Sequence, residues 1–181
     1  MAVHADPLKI VVRAAAPSEA GLLAAVCTET FTETYASENT AENMELYVSA
    51  HFTPERQREE LEDKKAKIFF ALHEEEVVGY IKLNFEKGFP EPIADALEIE
   101  RIYVRKKFHG RHIGRLLFNK AVAEAKARRH AYIWLGVWEK NTNAIGFYTR
   151  MGCKNAGSHL FKLGEDLQLD IIMKYDLGET P

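Results

Sequence analysis

The sequence predicts a single mixed α/β sheet, mostly antiparallel, flanked by helices on both faces. Three observations predict it. Strand-like and helix-like segments alternate along the chain. Two neighbouring strands are joined by a short polar turn, as in a hairpin. The middle of the chain reads strand–helix–strand, as in a crossover within one sheet. No repeat, low-complexity tract or linker divides the 181 residues, so one domain over 1–181 is expected, with a core of about 8–175.

Each element follows from its residues. Leu8–Arg13 reads as a first strand. Pro17-Ser18-Glu19 opens a helix in which Leu23, Val26, Cys27, Thr30 and Phe31 recur at the spacing of a buried stripe. Asn39-Thr40 caps a second helix through Tyr47 and Val48. Thr53 caps a third, with Pro54 at the first helical position, where a missing amide costs little. Lys67–His73 and Val77–Phe85 flank the turn Glu74-Glu75-Glu76 and predict the hairpin. Glu86 to Ala96, with Gly88, Pro90 and Pro92, reads as a loop.

Leu97–Val104 is the next strand, followed by a helix from Ile113 to Arg128 that buries Ile113, Leu116, Leu117, Ala121 and Ala125. Tyr132–Trp138 is apolar without alternation, as in a central strand covered on both faces. Asn143–Met151 is a helix stopped by Gly152. Two last strands surround Gly164-Glu165-Asp166 and finish at Leu169–Lys174.

Composition narrows the function. Hydrophobic residues at 46% and charged residues at 28% are ordinary for a soluble globular protein. No apolar run approaches the roughly 20 residues of a membrane helix, and no signal peptide is expected. Cys27 and Cys153 lie far apart without metal-type spacing, so two thiols in a reducing, cytoplasmic setting are expected, and no metal. A net charge of −3 argues against a nucleic-acid binder. The charge is unevenly spread. Ala14 to Glu55 holds Glu but no Lys or Arg, and Arg101 to Ala123 holds Arg and Lys but no Asp or Glu. Such zones suit a cationic substrate and an anionic cofactor, or else are solvated helix faces.

The basic turn Arg105–Gly114 sits between a strand and a helix. The unbonded first amides of that helix would attract a diphosphate, with Arg111 and Arg115 beside it and Gly110 and Gly114 allowing close backbone approach. On the preceding strand Glu98 and Glu100 are two apart and share a face, so either could accept a proton. Further on stand Asn141, Ala144, Phe147 and Tyr148.

These segments resemble the acetyl-CoA-binding core of the GCN5-related N-acetyltransferases. The family's Gln/Arg-x-x-Gly-x-Gly/Ala turn corresponds to His109-Gly110-Arg111-His112-Ile113-Gly114, with His109 replacing Gln or Arg and His112 replacing glycine. Its Asn-x-x-Ala-x-x-aromatic-Tyr signature is matched by Asn141, Ala144, Phe147 and Tyr148. Leu97–Val104, Trp134–Asn141, Gly157-Ser158-His159 and Gln168-Leu169-Asp170 resemble, more narrowly, the PaiA-type spermidine/spermine N-acetyltransferases.

The resemblance implies direct acetyl transfer from acetyl-CoA to a primary amine, a polyamine such as spermidine or spermine, in a ternary complex. It implies Glu100 as base and Tyr148 as acid; Glu98 and His159 are the second and third candidates for the base. For the coenzyme it implies the strand end Ile102, Tyr103 and Val104, the turn from His109 through Ile113 and Gly114 to Arg115, Asn141 and Tyr148. Glu33, Tyr35, Glu38, Glu98, Trp138 and His159 are the candidates for the amine. Neither cysteine lies in a motif, so no acyl-enzyme is expected. A protein N-terminus, another small amine, or a non-catalytic acyl-CoA-binding module are the alternatives; a homodimer is left open.

Overall fold

A computed structural model describes residues 9–86, 95–163 and 166–178. The elements in chain order are β1 (Ile10–Ala14), α1 (Ala20–Tyr35), α2 (Ala41–His51), α3 (Pro54–Glu62), β2 (Ala66–His73), β3 (Glu76–Asn84) and β4 (Ala96–Val104). Then come α4 (Ile113–Ala127), β5 (Tyr132–Trp138), α5 (Thr142–Arg150), β6 (Lys154–Leu163) and β7 (Asp166–Asp176). One seven-stranded sheet runs β1-β2-β3-β4-β5-β7-β6. Only β4 and β5 pair in parallel. The fold class expected from the sequence is therefore observed. Leu8, most of the expected loop between Glu86 and Ala96, and the Gly164-Glu165 turn lie outside the described residues.

Each face of the sheet carries its own core. Phe69, Ile81, Leu83, Leu97 and Ile99 pack with α4 and with Tyr148 of α5. On the other face Phe70, Leu72, Val77 and Tyr80 pack against Leu23, Val26, Cys27 and Phe31 of α1. The helix caps fall as expected: Thr40 accepts from the Asn43 amide and Thr53 from the Arg56 amide, each at 3.2 Å. The buried stripe of α4 differs in one place. Leu116 is exposed, and Phe118 takes the core position, because Ile113, Leu117, Ala121 and Ala125 recur at i+4 and Phe118 adjoins that row.

Two irregularities shape the site. First, β5 pairs with β4 only at Ala96–Glu98 against Tyr132–Trp134, so the strands splay apart beyond it. Second, β4 carries a bulge. Lys82 opposes Arg101 and Leu83 opposes Ile99, which leaves Glu100 as the extra residue. Strict alternation would put Arg101 on the α4 face beside Ile99. The bulge instead sends Glu98, Glu100, Arg101 and Tyr103 towards α1–α3, while Ile99, Ile102 and Val104 stay with the α4 core. Gly79 lets the end of β4 lie close, since a Cβ there would stand 2.6 Å from the Tyr103 carbonyl oxygen.

Candidate active site

The basic turn is built as an anion cradle. After β4 a short 3₁₀ turn spans Lys106–Phe108, Gly110 takes φ +76°, and His112 takes φ +61° immediately before α4. Among the described residues the amides of Ile113, Gly114 and Arg115 have no carbonyl partner, as the first turn of a helix dictates. A Cβ on Gly110 would meet nothing within 4 Å, so its surroundings are open. These features fit a coenzyme diphosphate. Left-handed backbone at His112 explains why a glycine suits this position; a side chain there costs about 1–2 kcal/mol.

Gly114 serves differently from expectation. Its backbone is ordinary helix, and a Cβ there would stand 3.4 Å from the Phe147 ring, so its small size lets α4 approach α5. His109 is also turned to bracing: its Nε2 lies 2.7 Å from the Val104 carbonyl oxygen and its amide donates to the Lys106 carbonyl. Asn141 caps α5, its Oδ1 accepting from the Ala144 amide at 3.1 Å.

The charge zones partly neutralise each other. Arg105 pairs with Glu29 at 3.1 Å and with Glu76 at 2.7 Å, Lys107 pairs with Glu76, and Lys120 with Glu124. Glu33 accepts from the Lys106 amide at 2.9 Å. Glu33 therefore holds the 3₁₀ turn against α1, and Glu38 is exposed; neither lines the cavity described next. Among the described residues Lys106, Arg111 and Arg115 form no ion pair, and they flank the unbonded amides.

A cavity of about 370 Å³ opens on the α1–α3 face. Its aromatic wall includes Phe31, Tyr35, Tyr47, Phe52, Tyr103 and Trp134. Its floor is ionic. Asn84 divides its amide between two carboxylates, donating to Glu98 at 2.6 Å and also to Glu100. Lys82, only 6% exposed, donates to Glu100 at 2.8 Å and pairs with Glu60 at 3.1 Å. Arg101 pairs with Glu60 and lies over the Phe52 ring. Burial alone would raise the Glu100 pKa, but the charges of Arg101 and Lys82, with the hydrogen bonds from Asn84 and Lys82, lower it to about 2. Glu100 is thus a fixed anion.

His159 and Asp170 face each other across β6 and β7 and complete the cavity. Burial raises the Asp170 carboxyl above its ordinary value, partly offset by His159. Tyr148 of α5 sits 7% exposed in the core shared with β4 and α4, outside the lining of the cavity. Burial, then the nearby Tyr35 and Cys153, raise its phenol above the usual tyrosine range. It stays protonated and can hydrogen-bond a developing thiolate. Tyr35 lies 5.5 Å from the Trp138 ring centre and its hydroxyl 3.5 Å from that of Tyr103. Trp138 thus braces Tyr35 from outside the lining.

Sequence reasoning missed Lys82, Asn84, Glu60, Arg101 and Gly136 at this site. Lys82 and Asn84 did carry a signal, being polar residues inside the apolar run Val77–Phe85. Arg101 did not, because its direction depends on the bulge.

A sheet parted beside a helix N-terminus, with a buried phenol in the core on one face and an ionic cavity on the other, is the layout of a transferase that meets a phosphorylated carrier on one side and its acceptor on the other. The family comparison agrees. The acetyltransferase (GNAT) family model matches residues 28–153, and the chain belongs to that family.

An uncharacterized N-acetyltransferase from the pepI 3′ region of Lactobacillus delbrueckii subsp. lactis is 34% identical over 151 residues, 83% of this chain and 87% of the relative. Another, from Mycobacterium bovis, is 30% identical over 160 residues, 88% of this chain and 99% of the relative. The crystal structure of the PaiA N-acetyltransferase of Thermoplasma acidophilum with coenzyme A superposes with a TM-score of 0.77 at 21% identity, covering 93% of this chain and 99% of that one. A ribosomal-protein-alanine N-acetyltransferase from Brucella melitensis gives 0.69 at 23% identity, covering 92% and 99%. The chain is an N-acetyltransferase, and acetyl-CoA is its cosubstrate.

Proposed function

We propose that the acetyl group goes to a primary amine of a polyamine such as spermidine or spermine, by direct attack in a ternary complex. The observation that carries this reading is the carboxylate pair Glu98 and Glu100, held by one Asn84 amide inside an aromatic-walled cavity. Fixed anions and ring faces both favour an ammonium group. The sequence resemblance to the PaiA-type enzymes supports the same substrate class.

In this proposal the amides of Ile113, Gly114 and Arg115, with Arg111 and Arg115 side chains, hold the diphosphate. Ile102, Tyr103 and Val104 lie along the splay, where their backbone receives the pantetheine arm and the carbonyl oxygen. Glu98 and Glu100 draw the ammonium in. Tyr148 hydrogen-bonds the departing sulfur. A phenol above its usual pKa does not surrender its proton to a thiolate outright, so it relays the proton that the acetylated nitrogen loses.

The test is a steady-state assay of acetyl-CoA with spermidine, spermine, an aminoglycoside and a peptide with a free N-terminus. A polyamine is expected to show kcat/KM about 100-fold above the others. A peptide acetylated equally well, or turnover with none of them, overturns the reading.

A further inference from the structure

We propose that His159, positioned by Asp170, is the group that takes the proton from the attacking amine. The inference rests on the acetyl-transfer reading and deepens it, since the resemblance assigned that role first to Glu100. Glu100 is badly matched to it. An alkylammonium has a pKa of about 10, and a carboxylate whose pKa Arg101 and Lys82 lower to about 2 is a poor proton acceptor for it. An imidazole is far better matched to proton transfer at neutral pH.

The geometry places His159 for this work. His159 on β6 stands directly opposite Asp170 on β7. Both reach over Gly136 of β5: from the point where a Cβ on Gly136 would lie, Asp170 Oδ2 and His159 Cε1 are each 3.1 Å away. Both are half-buried. Gly136 is the residue that leaves room for them, because any side chain there would displace one or the other. The β6–β7 ribbon is tied to the helical face by Gln168, which donates to the Asn39 side chain at 2.7 Å. In the sheet β5 separates β7 and β6, which carry the pair, from β4, which carries Glu98 and Glu100, and all four side chains line the cavity. A protonated amine drawn in by the carboxylates has the imidazole across from it.

The charged and titratable groups lining the cavity around His159 are Tyr35 of α1, Tyr47 and His51 of α2, Arg56 and Glu60 of α3, Lys82 of β3, Glu98, Glu100, Arg101 and Tyr103 of β4, and Asp170 of β7. Asp170 is the one opposite it in the ladder.

The step balances. An N–H bond of the ammonium breaks and its proton passes to the imidazole. The freed lone pair attacks the thioester carbonyl and forms the C–N bond. The C–S bond then breaks, and the second proton lost by nitrogen reaches sulfur through Tyr148. The imidazolium releases its proton to solvent, so an ammonium and an acetyl thioester become an amide, a thiol and one proton.

The test is the pH profile of kcat/KM with the best amine of the panel, for the wild-type protein, His159→Ala, His159→Gln, Asp170→Asn and Glu100→Gln. His159→Ala and His159→Gln are expected to lower kcat about 100-fold, to abolish the acid limb, and to bind acetyl-CoA as the wild type does by calorimetry. Added imidazole is expected to restore His159→Ala at least ~10-fold, which a purely structural role does not allow. Asp170→Asn should lower kcat with acetyl-CoA affinity unchanged, and Glu100→Gln should keep the acid limb.

An acid limb that survives both His159 substitutions, or that vanishes in Glu100→Gln alone, overturns the assignment. Should the alanine variant fail to bind acetyl-CoA, the glutamine variant decides. Wild-type protein that binds acetyl-CoA and acetylates no amine fails the acetyl-transfer reading itself. Wild-type turnover with an unchanged limb in the His159 variants fails only the base.

Discussion

The two halves of the site are built by opposite means. The coenzyme half is local: one turn and the start of one helix, with its chemistry in the backbone amides of Ile113, Gly114 and Arg115. The acceptor half is assembled from distant pieces. Lys82, Glu100, Glu60 and His159 come from β3, β4, α3 and β6, and their chemistry lies in how side-chain charges pair. A backbone cradle tolerates changes of side chain, as His112 in a glycine position illustrates. An ionic cavity does not, because each charge is stabilised by the next. Substitutions should therefore act differently in the two halves.

Tyr148 stands where the halves meet, and its loss should have the largest effect. Tyr148→Phe keeps the ring in its core position against Phe147 and removes only the hydroxyl. Turnover is expected to fall about 10³-fold, or about 4 kcal/mol, with the dissociation constant for acetyl-CoA changed less than about threefold. Stopped assays and calorimetry on one preparation measure both. Equal loss of turnover and affinity would remove the phenol from the chemistry and merge the two halves.

Next in size is Glu100→Gln, which probes the ionic half through stability. The folded pKa of Glu100 is about 2, below its ordinary 4.5, so the ion pair's contribution is complete above pH 4.5 and fades as pH falls towards 2. The shift corresponds to roughly 3 kcal/mol at neutral pH. Urea unfolding should show Glu100→Gln less stable than wild type by up to that amount at pH 7, with the gap narrowing between pH 4.5 and 2. A gap that stays constant over this range would mean that Glu100 contributes by packing and not by charge.

What the sequence revealed follows the same division. Strand order aside, the elements were readable because their cores are periodic: Leu23, Val26, Cys27 and Phe31 on α1 are all buried as their spacing implied. The turn around Gly110 was readable because a strand, a glycine turn and a helix are contiguous. The acidic zone misled. Glu29 and Glu33 are consumed by Arg105 and the Lys106 amide, a long-range pairing that no local window shows. Arg101 was hidden for a different reason: one extra residue in β4 reverses which face it joins. Gly79 was hidden too, since its role is the closeness of another strand.

His112→Gly should have the smallest effect and isolates the coenzyme half. His112 holds φ +61° and its side chain makes no capping bond to α4. Glycine removes a left-handed strain of about 1–2 kcal/mol but loses about 0.5–1 kcal/mol through the greater freedom of the unfolded chain. The balance is a gain of about 0.5–1 kcal/mol, a rise of roughly 2 °C in Tm for a domain of this size. If the backbone alone makes the cradle, acetyl-CoA affinity should change less than about threefold. If the imidazole reaches the diphosphate, affinity should drop in His112→Gly by more than that. Calorimetry of both proteins with acetyl-CoA separates the cases, and a large drop would show that the coenzyme half depends on a side chain as the acceptor half does.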